Sequence, residues 1–435
     1  MSTLKVNKIR DTSGSADAIT LDPSGGAVLA GVTTISTARI TTGITTSIQV
    51  GGGVTISESG IEASGIGITC ANINGGQIGG RRNIIINGAM NVAQRGTSST
   101  SSGFYTVDRV RSEFTGTDEA PTQAQVDVTS GTSPYTEGFR KALKITNGNQ
   151  TSGAGAADFV RIRTNHEGSS LATSGWNYTS SSSFITVQFW VRSSVAQTYQ
   201  AYLRSMATTS QIYVWEFALS ANTWTKVIKT IPGNSNIVFD NNNQNGLELS
   251  ILAFMGTDYT TASPTLNAWG AFSGGGSRKD MTSTWYTTND ATFELTGLQL
   301  EVGSQATPFE HRSYQEELHL CKRYYQRYPE GPTADNYNCV PSAIMACNNT
   351  TTAYYCPTLN PTMRSSPSFS TSGNFRMNGT ASVNNVAVTA IGVYHNGAST
   401  PFQYASVASG LTAGQAVALS VNNDATAYIE YDAEL

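Results

Sequence analysis

The run Phe184-Ile185-Thr186-Val187-Gln188-Phe189-Trp190-Val191 decides the fold class of this chain. Ile185, Val187, Phe189 and Val191 fall on one side of an extended backbone, and Phe184, Thr186, Gln188 and Trp190 on the other, the period of two that a strand imposes. Segments 199–203, 211–219, 224–231 and 247–255 repeat the alternation. In the last of these, Leu247, Leu249, Ile251, Ala253 and Met255 share a face. The run 293–302 alternates as well but breaks phase at Gly297, which predicts a β-bulge. Many short strands with turn clusters between them make residues 81–312 one large sandwich.

Composition points the same way. Of 435 residues only 13% are charged, where a soluble domain usually carries about 25%. Ser, Thr, Asn and Gln fill the exposed positions. They compete with a helical backbone for hydrogen bonds, whereas Thr, Val, Ile and aromatics suit a pleated surface, so the chain reads as all-β. Net charge is −4 with no run of Lys and Arg, which removes the electrostatic basis for nucleic-acid binding. No apolar stretch approaches the roughly 20 residues of a bilayer helix, so no membrane insertion is expected. The opening Met1–Arg10 lacks the apolar core of a secretory signal, and the Asn-X-Thr triplets at Asn177 and Asn378 therefore carry no weight as glycosylation sites. The spacing of Cys339, Cys347 and Cys356 fits no zinc pattern, so the five cysteines read as reduced structural thiols. With four histidines, at 166, 311, 319 and 395, a Ser-His-Asp or metal enzyme has little to build on.

Around the sandwich lie three further segments. Residues 1–80 repeat a Gly followed by alternating apolar and hydroxylated residues, at 31–36, 43–48, 53–57 and 65–69. Such strands bury too little alone, and a fibrous shaft of three intertwined copies is favoured over a single-chain solenoid or a flexible linker. Ser313-Tyr314-Gln315-Glu316 is a capping box, Leu318, Cys321 and Tyr325 form an apolar stripe, and Pro329 follows, so a connector helix of about 15 residues is expected over 313–329. Residues 330–435 read as a small β-sandwich tip with turns at Pro357, Pro361, Pro367, Gly373-Asn374 and Asn396-Gly397, closed by a strand over 428–435.

Several stretches carry a resemblance. The run Asn83–Met90, the strand 184–192, the segment 224–233 and the end 298–303 resemble the carbohydrate-binding-module jelly roll, with its opening N-x-N-G and closing Q-L-E. The closing run 298–314, with Ala-Thr-Pro-Phe-Glu-His-Arg-Ser-Tyr, and the opening 87–96 are similar to those of bacteriophage tail-fibre and virion-appendage proteins, especially from phages of marine cyanobacteria. The resemblance implies a virion location after synthesis in the host cytoplasm, a homotrimer, and other tail or baseplate proteins as partners.

Sugar binding rests on an aromatic ring stacked on a pyranose face, flanked by polar groups for the hydroxyls. Trp190, Trp215 and Trp224 sit in strand positions used for packing. Trp176, Trp269 and Trp285 lie in polar loops with Tyr178 and Tyr286 nearby, and are the ligand-binding candidates. Tyr337, Tyr354, Tyr355, Tyr394 and Tyr404 are similar candidates in the tip, against trimer packing. The resembling modules often hold a structural calcium, for which Asn87 and Glu301 are the positions in the paired terminal strands. Glu316 and His319 lack a third metal ligand, and no carboxylate pair stands out as a glycosidase acid and base. The expectation is a non-enzymatic virion fibre protein that binds host-surface polysaccharide. The alternatives are a polysaccharide depolymerase and a purely architectural capsid or baseplate decoration.

Overall fold

A computed structural model describes residues 82–207, 209–329, 338–379 and 383–435, together with the backbone of six short strands between residues 8 and 63. Those six strands form two antiparallel three-stranded meanders, one of Lys8–Arg10, Asp17–Leu21 and Ala27–Leu29, the other of Ser47–Val50, Val54–Ser57 and Gly60–Ala63. The repeat units at 31–36 and 65–69 lie outside the described residues, as do 43–46 and 53; of the other two units, Ser47–Ile48 and Val54–Ser57 fall in the hairpin of the second meander. Residues Met1–Cys70 form one compact unit and Ala71–Leu435 another.

The second unit is all-β, with a jelly-roll sandwich at its centre. A front sheet has the order Thr225–Pro232, Phe184–Ser193, Thr292–Val302, Lys141–Thr146, Thr122–Asp127, Ser98–Ser99. A back sheet has the order Trp269–Ala271, Gln211–Leu219, Gln197–Ser205, Asn245–Met255, Phe159–Glu167, Arg111–Thr115. Ile185, Val187, Phe189 and Val191 point between the sheets and meet Tyr199, Ala201, Leu203, Trp215, Leu249 and Ile251 in one buried core. Each such side chain contributes about 1.5–3 kcal/mol by leaving water. The polar side of the same strand is covered as well. The chain after the closing strand folds over it, so that Gln188 donates to the Thr307 carbonyl (2.6 Å) and Thr186 to that of Gly303 (2.8 Å).

Two bulges set which side chains reach the core. At Gly297, Trp190 pairs with Thr296 but Gln188 with Gln299, so Phe189 faces two residues. Phe293 and Leu295 before it, and Leu298 and Leu300 after it, all reach the core although their parity changes. The predicted break at Gly297 is thus present. A second bulge falls at Ala253, where Val160 pairs with Phe254 and Arg161 with Leu252. It corrects one expectation: Met255 leaves the face of Leu247, Leu249 and Ile251 and packs outside the back sheet with Leu252, Tyr202, Ile212 and Val214.

The opening run 83–90 is a chain of turns rather than a strand. Two backbone hydrogen bonds still tie it to the closing strand, from the Ile84 N–H to the Leu300 carbonyl and from the Leu298 N–H to the Gly88 carbonyl (both 2.9 Å), and the Asn83 side chain adds to them. Asn83 donates from Nδ2 to the Leu298 carbonyl (3.1 Å) and accepts the Leu300 N–H on Oδ1 (3.0 Å). Gly88 lies so close to the closing strand that a Cβ there would sit 2.0 Å from the Leu298 oxygen.

The connector helix is Tyr314–Lys322, nine residues, with Ser313 as its cap accepting the Glu316 N–H. It is shorter than the 313–329 expected, because Tyr325–Tyr328 leaves the helix to pair with Tyr428–Asp432. Tyr325 is therefore a strand residue, while Leu318 and Cys321 pack on Val92. Beyond it, six strands close a barrel in the order Cys339–Cys347, Thr352–Tyr355, Phe402–Val407, Val386–His395, Phe375–Asn378, Ala416–Val421. The residues read as a small sandwich thus form a barrel, backed by a sheet of Tyr325–Tyr328, Tyr428–Asp432 and Ser368–Ser372.

Jelly roll and barrel are riveted together by ion pairs. Arg323 makes a two-pronged contact with Glu167 (both 2.7 Å). Arg109 pairs with Glu434, and Arg95 with Asp432 (2.8 Å) and Glu434 (3.4 Å). Arg364 donates to the carbonyls of Asn243 (2.9 Å) and Ala433 (2.8 Å).

Candidate functional site

Of the five aromatics singled out in the sequence, Trp176, Trp285 and Tyr286 are buried, while Tyr178 and Trp269, the latter in the edge strand of the back sheet, are half-buried against the core. Trp176 is buried against Phe239 and donates from its indole to the Ser183 carbonyl (3.4 Å). Trp285 and Tyr286 are wholly buried; the indole donates to the Thr292 carbonyl (3.1 Å), and the phenol donates to Asp158 (3.0 Å) while its ring stacks on Phe254. Tyr178 packs edge-on to Phe239, and Trp269 spends its N–H on the Pro232 carbonyl (2.6 Å) while lying against Tyr213. Trp176, Trp285 and Tyr286 thus present no open face to a sugar. The loops carrying them seal the core, and each polar tip finds a partner as burial requires.

Asn87 and Glu301, the positions considered for calcium, are also committed to the fold. Asn87 donates from Nδ2 to the carbonyls of Val92 and Asp108 (both 2.9 Å) and accepts the Val92 N–H (3.0 Å). Glu301 accepts from Gln299 (2.9 Å) and from the Thr307 N–H (2.8 Å) and hydroxyl (2.6 Å). Among the described residues no group of three His, Cys, Asp or Glu is placed to hold a metal.

An open aromatic surface stands elsewhere, on the outside of the barrel. In Phe402–Val407, Gln403, Ala405 and Val407 point inward and Phe402 and Tyr404 outward, as strand alternation dictates. Tyr354 sits directly across from Tyr404 on the neighbouring strand, and Gly392 across from it on the other side. Gly392 has no side chain, and the Tyr404 ring lies over it: a Cβ there would be 2.5 Å from Tyr404 Cζ. Tyr394, 50% exposed, is the hub. Its ring centroid lies 4.8 Å from Tyr404, 5.5 Å from Tyr354 and 5.6 Å from Phe402. The His395 ring lies near-parallel to Phe402 (centroids 6.4 Å apart), and Asn348 donates to the Tyr354 hydroxyl (3.3 Å).

Chemically this is a broad π-surface fringed by groups that give and take hydrogen bonds. A hydrogen bond with Tyr354 raises the Tyr394 phenol above its ordinary pKa, so it stays a neutral hydroxyl at physiological pH. The sequence pointed to Tyr354, Tyr394 and Tyr404 but not to Phe402, His395 or Asn348. The alternation of 402–407 was the available signal. Tyr355 points into the barrel core, and Tyr337 lies outside the described residues.

No family model matches the chain, and no curated protein matches it. Among solved structures with similar folds are carbohydrate-binding modules. The N-terminal cellulose-binding domain of Cellulomonas fimi β-1,4-glucanase C is 11% identical, with 50% of this chain covering 99% of that one at a TM-score of 0.25. The family 11 carbohydrate-binding module of a Clostridium thermocellum cellulosomal cellulase is 11% identical, with 50% of this chain and 98% of that one at 0.23. The CBM22-1 and GH10 modules of endo-1,4-β-D-xylanase 10B from Clostridium thermocellum are 10% identical, at a TM-score of 0.24, and 51% of this chain covers 30% of theirs. What those proteins bind is a property of those proteins.

Proposed function

We propose that this chain is a non-catalytic virion-appendage protein that binds host-surface glycans, with the outer aromatic face of its barrel as the contact surface. The observation that carries the reading is the four-ring cluster of Tyr354, Tyr394, Phe402 and Tyr404, in which Tyr394 is exposed and the other three are half-buried, edged by Asn348 and His395. Tyrosine offers a large rigid apolar face with a polar tip at low entropic cost, a combination suited to pyranose rings. A surface of neutral polar residues also avoids indiscriminate attraction to anionic envelopes.

The virion assignment is supported by the resemblance of 87–96 and 298–325. The two runs are hydrogen-bonded to each other: the Asn87 N–H donates to Glu317 (2.7 Å) and the Leu298 N–H donates to the Gly88 carbonyl (2.9 Å). The resemblance therefore resides in scaffold, and the ligand surface lies outside it. Three copies associating through the repeat tract of residues 1–80 complete the proposal.

Binding of labelled full chain to an array of bacterial and algal envelope polysaccharides tests the reading. Saturable signal without release of reducing ends is expected; release of reducing ends would favour the depolymerase. Ile344, 71% exposed and two residues before Ala346, which pairs with Tyr354, favours a second reading in which the aromatic face is a contact between copies. Light scattering separates the two, since a Tyr394→Ala variant that lost its oligomeric state would place the rings at a subunit interface.

A further inference from the structure

A second cleft lies where the jelly roll meets the C-terminal strand. It holds about 420 Å³ and is lined by Phe104, Tyr105 and Arg111 of the jelly roll and by Arg327, Tyr428, Glu430 and Asp432. That volume is within the range of about 300–1,000 Å³ typical of small-ligand sites. Tyr105, 46% exposed, lies with its ring edge on Gly103, where a Cβ would be 3.1 Å from Cε2. Its ring thus stands at the mouth of the cleft, supported by backbone.

The charges here are unequal in what they have left to offer. Arg95 is occupied by Asp432 and Glu434, and Arg111 by Glu113 (2.9 Å). Glu430, directly across from Arg327 in the sheet, accepts instead from Tyr325 (2.6 Å) and Ser370 (2.5 Å). Arg327 has no ion pair among the described residues. It makes one hydrogen bond, from Nη1 to the Arg95 carbonyl (3.0 Å), its guanidinium rests 3.9 Å from the Tyr428 ring centroid, and Nε is buried without a partner. A guanidinium so held is pre-oriented yet unneutralised, the condition under which a planar carboxylate is captured well.

Resting on the glycan-binding reading above, we propose that this cleft is a second saccharide subsite selective for a uronic acid, with Arg327 taking the carboxylate, Tyr105 stacking on the pyranose and Asp432 accepting a hydroxyl.

The test uses the full chain titrated with methyl β-D-glucuronide and methyl β-D-glucoside, followed by ligand-observed NMR. The glucuronide binds about tenfold tighter than the glucoside if a charge-assisted contact distinguishes them. Arg327→Gln abolishes the difference, Arg327→Lys restores part of it, and Tyr105→Ala weakens both ligands. Equal binding of the two glycosides, or a preference that survives Arg327→Gln, overturns the proposal. So does competition by sodium sulfate at the glucuronide's own affinity, which marks a simple anion site. Should Arg327→Gln fail to fold, the Lys variant and Tyr105→Ala carry the decision. A Tyr394→Ala variant keeps the glucuronide preference, so loss of the barrel surface and loss of the cleft are read separately.

Discussion

The backbone N–H of Asn87 donates to the carboxylate of Glu317 at 2.7 Å, inside the protein and 230 residues away in sequence. Asn87 also holds a left-handed backbone (φ 60°) and brackets Val92 and Asp108 with its side chain. Asn87→Ala leaves the Asp108 carbonyl and the Val92 N–H without their side-chain partner, takes one of two donors from the Val92 carbonyl, and places an ordinary residue in a conformation it disfavours. A loss of about 2–4 kcal/mol is expected, read from urea unfolding of the second unit. Glu317→Gln keeps an acceptor and costs less.

Gly297 offers a sharper test of the bulge. Its φ is +65°, and a Cβ would stand 2.7 Å from Phe139 Cζ. Gly297→Ala is expected to lower stability by about 2 kcal/mol or more from strain and overpacking together. Pairing it with Phe139→Leu relieves the clash but not the backbone strain, so a double-mutant cycle returns a coupling of about 1 kcal/mol.

Trp285 separates the two roles assigned to it in turn. As a wholly buried plug it is expected to cost about 3–5 kcal/mol on substitution by Ala, seen as a lowered melting temperature. A loop platform would instead lose ligand and keep its melting point.

Two buried groups give the acid response opposite signs. Burial and the nearby Arg109 hold His166 down to about 3, so the fold keeps it neutral. Its contribution is present above its ordinary value and is lost as pH falls from about 6.5 towards 3. Burial pushes Asp108 up to about 6 despite Arg95, so its contribution is present at low pH and is lost as pH rises through about 6. Between pH 6 and 4 the two oppose each other. Relative to wild type, His166→Gln should gain stability over that interval and Asp108→Asn should lose it, by about 1 kcal/mol per pH unit, measured by denaturant midpoints. Parallel curves for all three proteins would contradict the assignment.

How much of this was legible beforehand depends on what each residue answers to. Strand 184–191 and the break at Gly297 were readable because period and glycine act locally. The bulge at Ala253 was not, since alanine is tolerated in regular strand as well. The helix was overextended at Tyr325 because a C-terminal strand, distant in sequence, takes that segment. Trp176 and Trp285 misled for a related reason: polar neighbours suggested exposure, while the open sandwich ends needed large rings to fill them. Tyr354, Tyr394 and Tyr404 were flagged singly, but only the barrel's register brings them together with Phe402.

The central claim is that the barrel's aromatic face binds glycan. Titration of wild type and the Tyr394→Ala, Tyr404→Ala double variant with the best polysaccharide from the array tests it most directly. A loss of at least tenfold in affinity with an unchanged melting temperature is expected from removing two stacking rings. Undiminished binding by the double variant would contradict it.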